Sequence, residues 1–114
     1  MHELSIATSI FETVEAATAK NGGPRCAKVG LRIGEMTAID QGALSFSWEC
    51  LTKETALENV PLEMEFCSRR HRCSECGEEF AVVDYEFACP RCQSMATFAI
   101  SGDELDIAYI EVEE

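Results

Sequence analysis

Two C-x2-C pairs constrain this chain more than any other feature: Cys73-Ser74-Glu75-Cys76 and Cys89-Pro90-Arg91-Cys92, separated by the twelve residues 77–88. A C-x2-C turn aims two sulfurs at one point. Two such turns close a tetrahedron around Zn²⁺, with Zn–S bonds of about 2.3 Å. Gly77 leaves backbone room after the first turn, and Pro90 stiffens the second. The spacer has room for one hairpin through Phe80–Phe87. Cys73, Cys76, Cys89 and Cys92 are therefore expected to hold a structural zinc ion. Two rivals stay open. Rubredoxin-like iron accepts the same four sulfurs, and C-P-x-C can act as a redox dithiol, although a thioredoxin-like βαβ context is missing. A closed tetrathiolate keeps no open coordination position, so it stabilises a fold and does not hydrolyse.

The length of 114 residues suits one small domain, or one domain carrying a smaller module. Nine Lys and Arg against 21 Asp and Glu give a net charge of −12. Such acidity argues against nucleic acid and against an anionic membrane surface as partners, since both need cations to meet phosphates. It leaves basic proteins and cationic metals open. No apolar run reaches about 18 residues, and Met1-His2-Glu3 does not open a secretory signal. A cytoplasmic protein is expected. In that reducing compartment the seven cysteines read as metal ligands or small buried residues and not as disulfides. Four thiolates around Zn²⁺ carry a net −2. The basic group Arg69, Arg70, His71, Arg72 and Arg91 either offsets that charge or forms a docking patch.

Residues 1–20 carry Leu4, Ala7, Ile10, Phe11, Val14 and Ala17 at helical spacing, and Asn21-Gly22-Gly23-Pro24 stops the pattern. Residues 25–33 alternate, with Ala27, Val29, Leu31 and Ile33 on the face expected to be buried and Cys26, Lys28, Gly30 and Arg32 on the other. Asp40 stands at a helix N-cap position before Ala43, Leu44, Ser47, Trp48 and Leu51, so 41–54 reads as a second helix with Trp48 in the core. Strands follow at Leu62–Cys67 and near Leu105–Val112, the last one changing its facing partway. The expected fold is α+β: a small helix-covered three-stranded sheet domain with an inserted zinc-ribbon module. Its expected domains are 1–67 with 102–114, and the ribbon 68–101. Cys26, Cys50 and Cys67 read as small apolar or incidental residues. His71 reads as solvated or lying just outside the zinc ligands.

The first three residues hold a second donor set. Met1 should be retained, because His2 is too large for methionine removal. A free amine, the His2 imidazole and the backbone nitrogens of His2 and Glu3 form a near-planar nitrogen set that suits Ni²⁺ or Cu²⁺, and Glu3 can add an oxygen. One histidine near a chain end is more often simply solvated. Asp40 can approach the terminus or act only as a cap.

Several stretches together resemble the HypA/HybF family of hydrogenase-maturation proteins. These are Met1-His2-Glu3-Leu4-Ser5, Val29-Gly30-Leu31-Arg32-Ile33-Gly34-Glu35, Asp40 leading into Ala43-Leu44-x-Phe46, and the cysteine quartet. The second knuckle departs slightly, reading Cys92-Gln93-Ser94 with no Gly. The resemblance spans essentially the whole chain and implies a nickel metallochaperone, not an enzyme. It implies Ni²⁺ held at the N-terminus by Met1, His2 and Glu3, with Asp40 nearby in some relatives, and structural zinc in the ribbon. It implies work with the nucleotide-hydrolysing accessory protein HypB and delivery to the large subunit of [NiFe] hydrogenase. Some relatives also serve urease, which brings urease maturation proteins in as partners. A monomer or weak dimer is expected. The rival functions are a zinc-ribbon adaptor independent of His2, and an iron electron carrier that would be red. No nucleophile–base pair or open zinc site points to catalysis.

Overall fold

The computed structural model describes residues 3–18 and 25–113. Helix α1 is Glu3–Thr18 and α2 is Gln41–Thr52. The six strands are β1 Cys26–Gly34, β2 Leu62–Cys67, β3 Arg70–Cys73, β4 Glu79–Ala81, β5 Thr97–Ser101 and β6 Leu105–Val112. The expected helix stop at 21–24 lies outside the described residues. Two three-stranded sheets form, in the orders β2-β1-β6 and β4-β3-β5. The described residues fall into two compact units. One lies within Met1–Arg32, Ile39–Glu65 and Asp106–Glu114, the other within Ile33–Ala38 and Phe66–Leu105. Among the described residues no helix is long and apolar enough to cross a membrane.

In the first unit the helical stripes become the core in part: Ala7, Ile10 and Val14 are buried as expected, but Leu4 and Ala17 are exposed while Ile6 and Thr18 are buried. Helix α1 buries Ile6, Ala7, Ile10 and Val14, and α2 buries Leu44, Trp48 and Thr52 at four-residue steps. The two helices pack on each other, with Phe11 edge-on to Trp48 at 6.4 Å. The indole Nε1 donates to the Val60 carbonyl at 2.7 Å, so the buried ring leaves no polar atom unpaired. Thr18 and Thr52 are tolerated in the core because each hydroxyl donates to the carbonyl four residues back, Val14 and Trp48, at 2.8 Å. Asp40 caps α2 as its position predicts: its Oδ1 accepts from the Ala43 N–H at 2.9 Å.

Strand β1 departs from the expected one-sided burial. Cys26 and Gly30 are buried along with Val29, Leu31 and Ile33. The Tyr109 ring lies over Gly30, where any Cβ would enter the ring. Tyr109 Oη donates to Glu63 Oε1 at 2.9 Å, and Lys28 Nζ pairs with Glu63 at 3.3 Å and Glu111 at 3.8 Å. The Tyr109 hydroxyl and then Lys28 hold the Glu63 carboxyl below its ordinary range, while Glu63 raises both Lys28 and Tyr109. Arg32 grips Asp106 with a two-pronged bond at 3.0 and 3.1 Å. Arg32 and Gly30 share one face of a regular strand, yet Asp106 and Tyr109 are three positions apart. The alternation therefore slips between the two contacts, as the change of facing in β6 anticipated.

In the second unit β3 is the central strand. It pairs antiparallel with β4 through Arg70↔Ala81, His71↔Phe80 and Arg72↔Glu79. It pairs antiparallel with β5 through Cys73↔Thr97, Arg72↔Phe98 and His71↔Ala99, then slips to Arg70↔Ser101. The hairpin is thus β3–β4 around the first cysteine knuckle and not the expected one through Phe80–Phe87. After Ala81 the chain makes a tight turn at Val83–Glu86, with Asp84 and Tyr85 both left-handed. No strand returns from it, because the chain must go straight on to place Cys89. Cys73, Phe80, Val82 and Cys89 make a small core, with Phe87 packed against it. Segment 33–38 is tied into this unit by backbone. Gly34 N–H donates to Glu104 and Met36 N–H to Gly102, each at 2.7 Å, and Glu35 Oε1 accepts from the Arg69 N–H at 3.0 Å.

Two glycines test this packing. Gly30→Ala should cost about 1–3 kcal/mol by overpacking against Tyr109, and most of that cost should disappear in a Tyr109→Ala background. Gly34→Ala should cost more, because there the added carbon meets the fixed backbone of Gly102. Urea denaturation of Gly30→Ala, Tyr109→Ala, their double variant and Gly34→Ala checks both statements.

Candidate metal centre

The four cysteines converge as the spacing predicts. Their Sγ atoms all lie within 4.8 Å of one another. Cys73 and Cys92 sulfurs are 3.6 Å apart, and those of Cys76 and Cys89 are 3.5 Å apart. A tetrahedron with metal–sulfur bonds of about 2.3 Å has edges of about 3.8 Å, so these spacings fit one central ion.

The two knuckles repeat one backbone pattern. In the first, Gly77 N–H donates to Cys73 O at 3.0 Å and Cys73 N–H to Glu78 O at 2.9 Å. In the second, Gln93 N–H donates to Cys89 O at 2.8 Å and Cys89 N–H to Ser94 O at 2.9 Å. Gly77 sits at φ 79° and Gln93 at φ 63°. Gln93 thus adopts the left-handed conformation that glycine supplies in the first knuckle, at a cost of about 1–2 kcal/mol. In each knuckle the residue two after the first cysteine points its N–H at that sulfur: Glu75 at Cys73 and Arg91 at Cys89, both at 3.4 Å.

The electrostatics show what the cluster needs. Backbone N–H groups, led by that of Cys76, lower Cys73 to about 7. Cys92 has the Ser94 N–H in its favour, but Cys73 and burial push it up to about 12. Cys76 is also raised, the Glu78 backbone being outweighed by burial and Cys89. One thiolate forms readily, and its charge then opposes the rest. Four thiolates need a cation among them, and an all-sulfur tetrahedral donor set fits Zn²⁺.

Within the basic group beside the cysteines, Arg69 and Arg72 do not pair with sulfur. Their side chains go to other partners, and sulfur receives backbone N–H groups instead. Arg72 pairs with Glu79. Arg69 lies over the Phe87 ring at 4.6 Å, and its Nε donates to His71 Nε2 at 3.0 Å. That bond leaves the proton on His71 Nδ1, which donates to Thr97 Oγ1 at 3.0 Å. Thr97 in turn donates to the Phe87 carbonyl at 2.7 Å. His71 is buried and stacked on Phe87 at 5.5 Å, and burial followed by Arg69 lowers its pKa. It is neither solvated nor placed among the sulfurs. The chain of bonds ties β3 to β5 and to the loop two residues before Cys89. Alternation puts His71 on the same strand face as Cys73, but that Phe80 stands opposite and buries it is set by strand register.

Of the second donor set, Met1 and His2 lie outside the described residues. Glu3 opens α1, and its Oε2 accepts the Asp40 N–H at 3.3 Å. The structure therefore brings Glu3 and Asp40 together, with Asp40 also serving as the α2 cap. Cys26 is buried, Cys67 half-buried and Cys50 exposed.

Zinc loading at pH 7 should release about three protons per ion, because one of the four thiols ionises readily and the others must be deprotonated by the metal. Calorimetry in buffers of different ionisation enthalpy measures the number. Because protons and zinc compete for the same sulfurs, zinc affinity should fall as the pH drops. Gln93→Gly should slow zinc loss to a chelator, by relieving the left-handed strain.

A model of the family described as hydrogenase/urease nickel incorporation, metallochaperone, hypA, matches residues 1–112. The hydrogenase maturation factor HypA of Geobacter metallireducens is 37% identical over 113 residues, covering 99% of this chain and all of the relative. That of Desulfitobacterium hafniense is 35% identical over the full length of both chains. Among solved structures, a HypA solution structure superposes with a TM-score of 0.74 at 24% identity, covering 99% of this chain and 97% of the other. The nickel metallochaperone HypA of Helicobacter pylori gives 0.65 at 23% identity, covering 98% and 97%. Those two structures share the fold. With the sequence matches end to end and the four sulfurs in one cluster, this chain belongs to the HypA family of nickel-incorporation metallochaperones for hydrogenase and urease.

Proposed function

We propose that this chain binds Ni²⁺ at its N-terminus and hands it to the large subunit of [NiFe] hydrogenase in the cytoplasm, acting with HypB. Urease maturation is the second destination the family description supports. The ligands proposed are the Met1 amine, the His2 imidazole with its neighbouring backbone nitrogens, and Glu3. The observation that carries this reading is the family match beginning at residue 1, over the stretch that holds this donor set. Residues 1–67 with 102–114 form the nickel-binding α/β domain in this reading, and 68–101 form the zinc ribbon, held by Cys73, Cys76, Cys89 and Cys92. The protein carries its metal and does not transform it.

The chemistry suits a carrier. Amine, imidazole and amide nitrogens favour nickel, while a closed thiolate cage favours zinc, so the two ions are sorted by donor type. Nitrogen ligands at a chain end are open to an incoming acceptor, whereas a closed sulfur cage keeps no open coordination position.

The ligands must be unprotonated to bind. The α-amine titrates at about 8 and the imidazole at about 6.5, so nickel affinity falls as pH drops from about 8 to about 6. Titration calorimetry at the two pH values tests this, and equal affinities would count against the N-terminal ligands. His2→Ala should abolish nickel binding while one zinc and the fold remain. Tight retention of one nickel by that variant would refute the assignment.

A further inference from the structure

The outer face of the β4-β3-β5 sheet has a composition that the zinc site does not explain. His71 and Phe80 point inward, so Arg72, directly opposite both Glu79 and Phe98, faces out with them. At the slip between Arg70 and His71, β5 supplies one extra residue, so Ile100 and Ser101 together oppose Arg70. The face therefore sets Arg70 and Arg72 on the central strand beside Phe98 and Ile100 on an edge strand. Phe98 and Ile100 remain 47% and 39% exposed. Strands lie about 4.8 Å apart, so each guanidinium is within side-chain reach of the apolar pair.

The charges on this face are weakly engaged. Among the described residues the Arg70 side chain forms no hydrogen bond, and its charge acts on Glu79, whose carboxyl it helps to lower. Arg72 holds Glu79, but both side chains are nearly half exposed, and such surface pairs are worth little and exchange readily. Glu79 shows that a carboxylate fits against Arg72. A chain of net charge −12 that gathers cations beside exposed apolar side chains has a patch complementary to acid and oil together.

The geometry points to a docking surface for an acidic segment of a partner protein. Its carboxylates would pair with Arg70 and Arg72, and a neighbouring apolar side chain would cover Phe98 and Ile100. This reading does not depend on where nickel binds.

The test uses the full-length, zinc-loaded chain labelled for NMR. The probe is a soluble peptide, acetyl-Asp-Glu-Leu-Glu-Phe-Asp-Glu-amide, with a counterpart carrying lysine at every acidic position. The expected result is shifts centred on Arg70, Arg72, Phe98 and Ile100 with the acidic peptide and none with the basic one. Arg70→Glu and Ile100→Ser should each weaken binding about tenfold while zinc content and spectral dispersion stay unchanged. No shifts at millimolar peptide, shifts mapping elsewhere, equal binding of the lysine peptide, or unaltered affinity in both variants would overturn the proposal. So would shifts of these residues on concentrating the protein alone, which would make a second copy the occupant.

Discussion

Four thiols confined to one small space cannot all ionise unless a cation joins them. That constraint organises the second unit. The knuckles aim backbone N–H groups at Cys73 and Cys89, so the first thiolate forms near neutral pH, while Cys92 is held protonated by the charge already present. A divalent ion resolves the conflict and fixes the two turns relative to each other. The apolar core there is slight, comprising Phe80, Val82 and two of the cysteines with Phe87 against them. Metal coordination must supply stability that so few buried side chains do not.

Around this centre the unit spends its polar groups on order. The Arg69–His71–Thr97 chain gives both ring nitrogens of the buried His71 a partner and ends on the carbonyl of Phe87, so β3, β5 and the approach to the second knuckle are tied together. Arg69 also donates its backbone N–H to Glu35, drawing residues from the end of β1 into the same unit. The other unit works by different means, through two amphipathic helices, an indole with its N–H satisfied, and a sheet laced by exposed ion pairs.

The family and the structural metal site were legible because they depend on local spacing. C-x2-C fixes where two sulfurs point whatever surrounds them, and Ala7, Ile10 and Val14 on one helix and Leu44 and Trp48 on the other announce their buried faces. The Asp40 cap was equally local. The hairpin was misplaced because Phe80–Phe87 looks like strand material, yet reaching Cys89 leaves no room for a returning strand. The buried Gly30 was missed because Tyr109, which covers it, is remote in sequence.

By itself the sequence determined the two helices, the strands β1, β2 and β6 and the four-sulfur donor set, because each is written within a few residues. Tertiary structure alone decided that His71 is buried and neutral-leaning, that Glu35 belongs with Arg69, that Glu3 meets Asp40, and that Arg70 and Arg72 share a face with Phe98 and Ile100. These are pairings between distant segments. Strand register and chain crossing set them, and no periodicity or spacing in a single chain encodes which remote residue will stand opposite which.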